Sequence, residues 1–298
     1  MRVFCIKRRT LLVCAIGVVT AALLVVVLLL ILSGTGAAET MGRAEGIPEY
    51  ELNVLSGKQR ELPVYSVNRS EKVLALTIDA AWEDDKTAFI LDCLKKHDAK
   101  ATFFLCGVWV DAYPEHVREI AAAGHEIGNH SKTHPHMNQL DAAGVQKEIT
   151  TLDDSIEKLI GRRCTLFRAP FGEYNDTVIR AARELGYEPI QWNIDSIDWK
   201  KERNASTILN SILPKLAPGS IILCHNNGYQ IENYLPTLLE KAAEEGYRFV
   251  TVSELLLAGE TTIDANGVQQ PSLNPTPMPE GSGQTARAVL KRSISALQ

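Results

Sequence analysis

Between residues 72 and 255 of this 298-residue chain, short apolar runs alternate with segments whose apolar positions recur at helical spacing. Runs of about four to seven residues bounded by turn residues predict strands. The predicted strands cover residues 73 to 78, 101 to 105, 126 to 128, 165 to 168, 188 to 193, 220 to 224 and 247 to 252. The predicted helices cover residues 88 to 94, 114 to 124, 145 to 159, 175 to 185, 206 to 216 and 231 to 245.

This alternation predicts an α/β fold built from right-handed βαβ units around a parallel sheet. Seven strands over roughly 190 residues favour a closed or nearly closed TIM-like barrel, with functional residues at the carboxyl ends of the strands. A doubly wound open sheet is the alternative. The chain lacks the Gly-rich phosphate loop that would support that second architecture.

The amino-terminal segment is apolar enough to span a membrane. Residues 11 to 32 carry no charge, and an apolar run of roughly 20 residues fits the hydrocarbon thickness of a bilayer. Basic residues in the segment 1 to 10 predict that it is cytoplasmic and that the chain after this transmembrane helix lies outside the cytoplasm. The alternative is a signal peptide cleaved near Ala38, which would release a secreted protein.

Composition divides the rest of the chain into three parts. Residues 33 to 71 are predicted to be a juxtamembrane linker and lead-in, and residues 72 to 258 the folded domain. Pro and Gly accumulate from residue 259 to 298, which is typical of a disordered tail. Four basic residues precede the anchor and the whole chain carries −5, so the remainder carries −9. This acidity argues against nucleic acid as a partner, and the sequence pattern identifies no particular protein partner.

A histidine-rich loop is the first candidate for chemistry. Three of the seven histidines lie between Gly128 and His136, and His130 and His134 are spaced i, i+4. That spacing lets two imidazoles reach one metal ion. Pro135 follows directly, which favours a loop over a helix. An isolated pair of this kind is more often an ordinary polar surface loop, so the interpretation depends on the other strand ends.

Five predicted strands carry unusual polar residues at or just after their carboxyl ends. In chain order these are Asp79, His130, Arg168, Asp195 with Asp198, and His225. Each has an ordinary explanation taken alone, such as a helix cap, a surface ion pair or a turn residue. Because the carboxyl ends of parallel strands meet at one rim, the set together predicts an active site.

These residues fall in five ordered motifs that resemble one enzyme family. The motifs are Thr77-Ile78-Asp79, His130-Ser131-x-x-His134, Arg168-Ala169-Pro170-Phe171-Gly172, Asp195-Ser196-Ile197-Asp198-Trp199 and Leu223-x-His225. They resemble the NodB-homology polysaccharide deacetylases, carbohydrate esterase family 4, over residues 72 to about 255. The Ile-Asp-Ala-Ala-Trp form of the first motif is similar to the PdaB-like sporulation subgroup.

The resemblance implies a distorted (β/α)7 TIM-like barrel, the NodB homology domain, and a divalent metal. Zn²⁺ is the first choice, with Co²⁺, Ni²⁺ or Mn²⁺ as alternatives. The implied reaction is hydrolytic removal of acetyl groups from N-acetylglucosamine units of a cell-wall glycan, peptidoglycan or a chitin-like polymer.

We assign the metal ligands to His130 and His134, and the resemblance implies the other roles. Asp79 would be the base, oriented by Arg168, and His225 the acid, oriented by Asp198. The backbone N–H of Phe171 would bind the oxyanion. The remaining two residues, Trp199 and Leu223, would wall the acetyl pocket, although ordinary core packing explains them equally well.

The chain departs from the family pattern at Ala80. The family carries a second aspartate there as the third metal ligand, and alanine cannot coordinate a metal. Three outcomes follow: Glu83, Asp84 or Asp85 supplies the ligand, water completes the shell, or the domain has lost catalysis and only binds glycan. For Asp84 and Asp85, the start of a helix is the simpler explanation, because acidic residues suit the helix dipole.

Overall fold

The computed structural model describes residues 60 to 83 and 86 to 272. The strands are β1 (Ser66–Val67), β2 (Val73–Ala80), β3 (Ala101–Leu105), β4 (Glu126–Asn129), β5 (Leu166–Phe167), β6 (Glu188–Pro189), β7 (Ile194–Asp195), β8 (Ile221–His225), β9 (Arg248–Phe249), β10 (Thr261–Ile263) and β11 (Val268–Pro271). The helices are α1 (Thr87–Lys96), α2 (Gly107–Ala112), α3 (Pro114–Ala122), α4 (Ala142–Ile160), α5 (Asp176–Glu184), α6 (Ala205–Ile212), α7 (Ile231–Glu244) and α8 (Val252–Leu255).

The central sheet has the strand order β6-β5-β4-β3-β2-β8-β7, and β9 pairs with β2 beyond this path. Every pairing in it is parallel. Strands β2 and β3 are buried along their whole length, because both faces of a parallel sheet are covered. The predicted α/β class and parallel sheet are therefore confirmed.

Alternation along β2 separates two apolar clusters. Leu76 and Ile78 join the larger cluster, which also contains most of the buried helix residues, whereas Val73 and Ala75 join a smaller cluster on the other face. Asp79 has the same parity as Val73 and Ala75, so the strand directs it to the face with the smaller cluster. This placement puts the carboxylate at the end of that face.

The sheet does not close on itself, so the predicted closed or nearly closed barrel is corrected to a half-barrel. No pairing joins β6 to β7 within the described ranges. The lead-in before β2 lies there instead: the Val64 N–H donates to the Pro189 oxygen at 2.9 Å, and the Val67 N–H to the Gly219 oxygen at 2.9 Å. The strand predicted over residues 188 to 193 is shortened to β6, which ends at Pro189, and β7 begins only after the predicted range, at Ile194.

Two elements near the carboxyl end of the domain differ from prediction. The last strand, predicted to run to residue 252, stops at Phe249, because Thr251 and Glu254 form a reciprocal capping box that begins α8. Residues 261 to 271 form an antiparallel hairpin whose second strand pairs with β1. Segments on both sides of the predicted domain, residues 72 to 258, thus form one small sheet.

Other predicted segments lie outside the described residues. These are the basic segment 1 to 10, the transmembrane helix 11 to 32, the linker up to residue 59 and the tail from residue 273. Among the residues that the structure describes, no helix has the length and apolar character needed to cross a bilayer.

Gly219 should be essential for the contact between the lead-in and β8. It has φ +83°, and a Cβ atom there would overlap the backbone oxygen of Val67. Gly161, which ends α4 with φ +71°, has no heavy atom within 4 Å of the same built position. We expect Gly161→Ala to cost about 1 kcal/mol from the left-handed backbone alone, and Gly219→Ala at least about 2 kcal/mol more from the overlap. Urea unfolding of both variants measures the difference, and equal losses would contradict this packing.

His125 should make stability depend on pH. It is buried at the amino end of β4, and its Nδ1 accepts a hydrogen bond from the Ala101 N–H at 3.3 Å. Burial, aided by Lys100, lowers the pKa of His125 from 6.5 to about 4. As pH falls, the unfolded chain takes up this proton first, so we expect stability to be lost between pH 6.5 and about 4.

The His125→Gln variant should lose less stability over that pH range, whereas His116→Gln, on the surface helix α3, should retain the wild-type dependence. Thermal unfolding at several pH values measures the effect. A wild-type pH dependence in His125→Gln would show that another group is responsible.

Candidate active site

A groove of about 530 Å³ lies at the carboxyl ends of the sheet strands. It is lined by eight of the residues predicted to form the site, namely Asp79, His130, His134, Phe171, Asp195, Trp199, Leu223 and His225. A larger hollow beside His125, of about 800 Å³, lies at the amino end of β4 and contains none of these residues. The structure thus brings side chains from β2, the histidine loop, the Arg168 turn, the β7 loop and β8 into one place.

A buried ion pair forms one side of the groove. The Arg168 Nη1 donates to Asp79 Oδ1 at 2.7 Å and to Thr77 Oγ1 at 2.8 Å. Burial alone would raise the pKa of Asp79, but Arg168, His130 and His225 together outweigh it, and the pKa lies below its usual value. Asp79 is therefore ionised at neutral pH.

The Arg168 side chain is itself fixed in position by contacts with other residues. Its side chain is fully buried, and Nη2 donates to the backbone oxygen of Gln191 at 3.1 Å. The guanidinium lies over the Phe104 ring at 4.1 Å. Planar guanidinium groups suit such combined hydrogen-bonding and stacking positions. These contacts fix the direction from which Arg168 approaches Asp79.

His130 is buried and presents an unprotonated nitrogen to the groove. Its Nδ1 lies 2.9 Å from the backbone oxygen of Arg168, and because a carbonyl only accepts, Nδ1 must carry the proton. Burial lowers the pKa of His130, with partial opposition from Asp79, so the ring is neutral. The free Nε2 then faces Asp79 Oδ2 at 3.7 Å, and two acceptors at this separation leave room for a shared cation.

His134 completes the pair of imidazoles from a strained loop, and the predicted absence of a helix here is confirmed. His134 has φ +59°, and its N–H donates to the Ser131 hydroxyl at 3.1 Å. Its ring centroid is 5.0 Å from that of His130 and 4.5 Å from that of Phe171. Burial, with His130, lowers the pKa of His134 to about 4. Its buried Nδ1 has no hydrogen-bond partner among the described residues.

These two neutral imidazoles fit a metal ion, but the described residues supply no third protein ligand. Ala80 is fully buried in the larger apolar cluster, and no group of three His, Cys, Asp or Glu side chains in the described ranges is arranged to hold a metal. Glu83 is exposed, and its backbone oxygen accepts from the Trp109 indole. Asp84 and Asp85 lie outside the described residues.

A second charged pair lies at the end of the neighbouring strand β8, where His225 is the register partner of Asp79. His225 Nδ1 lies 2.7 Å from Asp198 Oδ1, and Asp198 is fully buried. Burial disfavours the imidazolium, but the hydrogen bond and charge of Asp198 outweigh it and raise the pKa of His225. His225 is thus the one groove histidine whose protonated form is favoured by its surroundings.

The predicted oxyanion and wall residues also lie at the groove. Phe171 has φ +60° in a short 3₁₀ turn, and its exposed ring stacks on His136 with centroids 4.5 Å apart. Trp199 is exposed and Leu223 is almost fully buried. Core packing therefore does not explain Trp199.

Sequence reasoning missed Trp82 and Trp192 as groove residues. Trp82 is exposed and contacts the His134 ring edge-on at 5.6 Å. An aromatic residue two positions after the Ala80 substitution was the available signal for Trp82. Trp192 lies inside a predicted strand, where an aromatic residue is ordinary.

Comparison with known proteins identifies the family. The model of the family described as Polysaccharide deacetylase matches residues 66–190. A peptidoglycan-N-acetylglucosamine deacetylase of Bacillus cereus is 34% identical over 197 residues, which are 64% of this chain and 92% of the relative. The chain belongs to the polysaccharide deacetylase family, carbohydrate esterase family 4.

Other relatives of this deacetylase-family chain differ in what is known of them. YlxY of Bacillus subtilis, described as uncharacterized, is 34% identical over 65% of this chain, which spans 60% of that protein's length. The structure of BA3943 from Bacillus anthracis, described as a CE4 family pseudoenzyme, matches with a TM-score of 0.62 and 34% identity, over 65% of this chain and 68% of that one. A mutant of BA3943 is described as having restored enzymatic activity. Family membership therefore does not by itself establish catalysis.

Zinc binding should depend on the two groove imidazoles. We expect calorimetric titration to give saturable binding, weaker than at a site with three protein ligands, because water must complete the shell. His130→Ala should abolish the saturable heat. His116→Ala, which removes a histidine on α3, should leave it unchanged. The absence of any heat sensitive to His130→Ala would contradict the metal assignment.

Proposed function

We propose that this chain hydrolyses N-acetyl groups from N-acetylglucosamine units of a cell-wall polysaccharide, peptidoglycan or a chitin-like polymer. The observation that carries the proposal is that two charged pairs, Asp79 with Arg168 and His225 with Asp198, meet in one groove at the ends of the neighbouring strands β2 and β8. The pKa of Asp79 is lowered, so this carboxylate stays ionised. The pKa of His225 is raised, which favours the protonated form of this imidazole.

Amide hydrolysis needs both of these groups. Asp79 accepts the proton of the attacking water. Arg168 donates a hydrogen bond to Oδ1 of Asp79, so that Oδ2 of the same carboxylate faces the groove. As the carbon–nitrogen bond breaks, His225 gives its proton to the departing amine nitrogen, and acetate and the free amino sugar result. Asp198 stabilises the imidazolium before this transfer.

A divalent ion fits beside this machinery. His130 and His134 are the residues that would hold it, and Zn²⁺ suits two imidazoles, with Co²⁺, Ni²⁺ or Mn²⁺ as alternatives. When bound, such an ion supplies Lewis acidity toward the amide carbonyl. The Phe171 N–H would bind the oxyanion, and Trp199 and Leu223 would wall the acetyl group.

The proposal also includes a location. An outward-facing domain held by the predicted transmembrane helix 11 to 32 would meet the cell wall directly, and secretion after cleavage near Ala38 would have the same effect. The Ile-Asp-Ala-Ala-Trp motif supports placement in the PdaB-like sporulation subgroup.

A non-catalytic glycan-binding protein is the second candidate. Ala80 favours it, because a site without the third protein ligand holds a metal more weakly. The similarity to the BA3943 pseudoenzyme supports the same candidate.

Acetate release distinguishes the two candidates. We expect the purified chain to release acetate from peptidoglycan and N-acetylglucosamine oligomers, and a chelator to suppress the release. Asp79→Asn keeps an acceptor for Arg168 but removes the base, so the rate should fall at least about 100-fold. Asp92→Asn, on the surface of α1, should have no effect. Equal background release by wild type and Asp79→Asn, with retained glycan binding, would favour the binding protein.

A further inference from the structure

Tyr234 is a buried tyrosine on the apolar face of α7, outside the five motifs. The other buried residues of that helix are apolar: Ile231, Leu235, Leu238, Leu239 and Ala242. The Tyr234 hydroxyl nevertheless lies 2.7 Å from Asp198 Oδ2, with both residues fully buried. A phenylalanine would fill the same space, so the hydroxyl needs an explanation beyond packing.

The direction of this hydrogen bond is fixed by charge. Burial and the neighbouring Asp198 raise the pKa of Tyr234 well above its usual value, so the phenol keeps its proton. An ionised carboxylate only accepts. The Tyr234 hydroxyl therefore donates to Asp198.

Both oxygens of Asp198 are engaged. Oδ1 accepts from His225 Nδ1 at 2.7 Å, and Oδ2 accepts from the Tyr234 hydroxyl and from the His225 backbone N–H at 3.1 Å. The backbone at Gly228 packs closely against the Asp198 carboxylate, since a Cβ atom on Gly228 would overlap Oδ2. The carboxylate is thereby held in one orientation from two sides.

We propose that Tyr234 is a positioning residue, whose hydroxyl fixes Asp198 so that the His225 ring presents Nε2 to the substrate nitrogen. The inference rests on the proposed function, in which His225 protonates the departing amine. The His225 side chain lines the groove while Nδ1 is bound to Asp198, so Nε2 is the nitrogen left for the substrate. Tyr234 acts through Asp198 and does not touch the substrate.

The chemistry of the leaving group provides a specific test. In amide cleavage the carbon–nitrogen bond breaks, its electron pair goes to nitrogen, and the Nε2 proton of His225 moves to that nitrogen. The Nδ1 proton stays on His225, where it is hydrogen-bonded to Asp198. When an aryl acetate ester is hydrolysed, the leaving group is a phenolate, which needs no such proton. A residue that orients the His225 ring should therefore affect the rate of amide hydrolysis and not the rate of ester hydrolysis.

The matched pair of variants is Tyr234→Phe and Tyr187→Phe. Tyr187 is also buried and its hydroxyl bonds to a buried carboxylate, Asp153, away from the groove. For N-acetylglucosamine oligomers we expect Tyr234→Phe to lower kcat roughly tenfold with KM unchanged, the effect of one charge-assisted hydrogen bond. Hydrolysis of 4-nitrophenyl acetate should change by less than about twofold. Tyr187→Phe should change neither reaction, and equal losses on both substrates, or no loss, would overturn the positioning role.

A spectroscopic measurement tests the same inference without catalysis. The proton between His225 Nδ1 and Asp198 should give a downfield NMR resonance in wild type and in Tyr187→Phe. In Tyr234→Phe it should shift and broaden, because the carboxylate loses one of its fixed contacts. An unchanged resonance would overturn the inference. Absence of acetate release by the wild-type protein would instead refute the proposed function and leave this measurement valid.

Discussion

The buried contact between Arg168 and Asp79 is the interaction on which the site depends. A fully buried guanidinium is costly unless every side of it is satisfied, and here a carboxylate, a hydroxyl, a backbone oxygen and an aromatic face share that role. The contact joins the end of β2 to the turn after β5. The carbonyl of the same arginine fixes the tautomer of His130. One residue therefore sets both the charge of the proposed base and the free nitrogen of a proposed metal ligand.

The groove is asymmetric in its charges. Burial keeps the His130 and His134 imidazoles neutral beside the ionised Asp79, whereas the buried Asp198 favours the charged form of the third imidazole, His225. Separated pKa values of this kind suit a base and an acid that act in one reaction. Ala80 leaves both charged pairs in place. In the proposed mechanism, the chain therefore retains the groups that would transfer protons and lacks one protein ligand for the metal.

Sequence pattern predicted the elements that are buried on both faces. Residues of β2, β3 and β8 form continuous apolar runs, and their parallel pairing follows from the helices between them. The rim position of Asp79, Arg168 and His225 followed from the same order. The gap between β6 and β7 was not predictable. It is occupied by Val64 and Val67, whose contacts with residues distant in the chain produce no periodic pattern in the local sequence. The hairpin at residues 261 to 271 was not predicted, because Pro and Gly occur in turns as well as in disordered tails. The role of Tyr234 was hidden by its helical spacing, since Tyr at a buried helix position is ordinary.

The central claim is that residues from separate strands meet around one cation. An anomalous difference map from crystals grown with zinc tests it most directly. The account predicts a peak about 2 Å from a ring nitrogen of both His130 and His134, next to an Asp79 carboxylate that still contacts Arg168. A map without a peak between the two imidazoles, or with the Asp79 carboxylate turned away from that point, would contradict it.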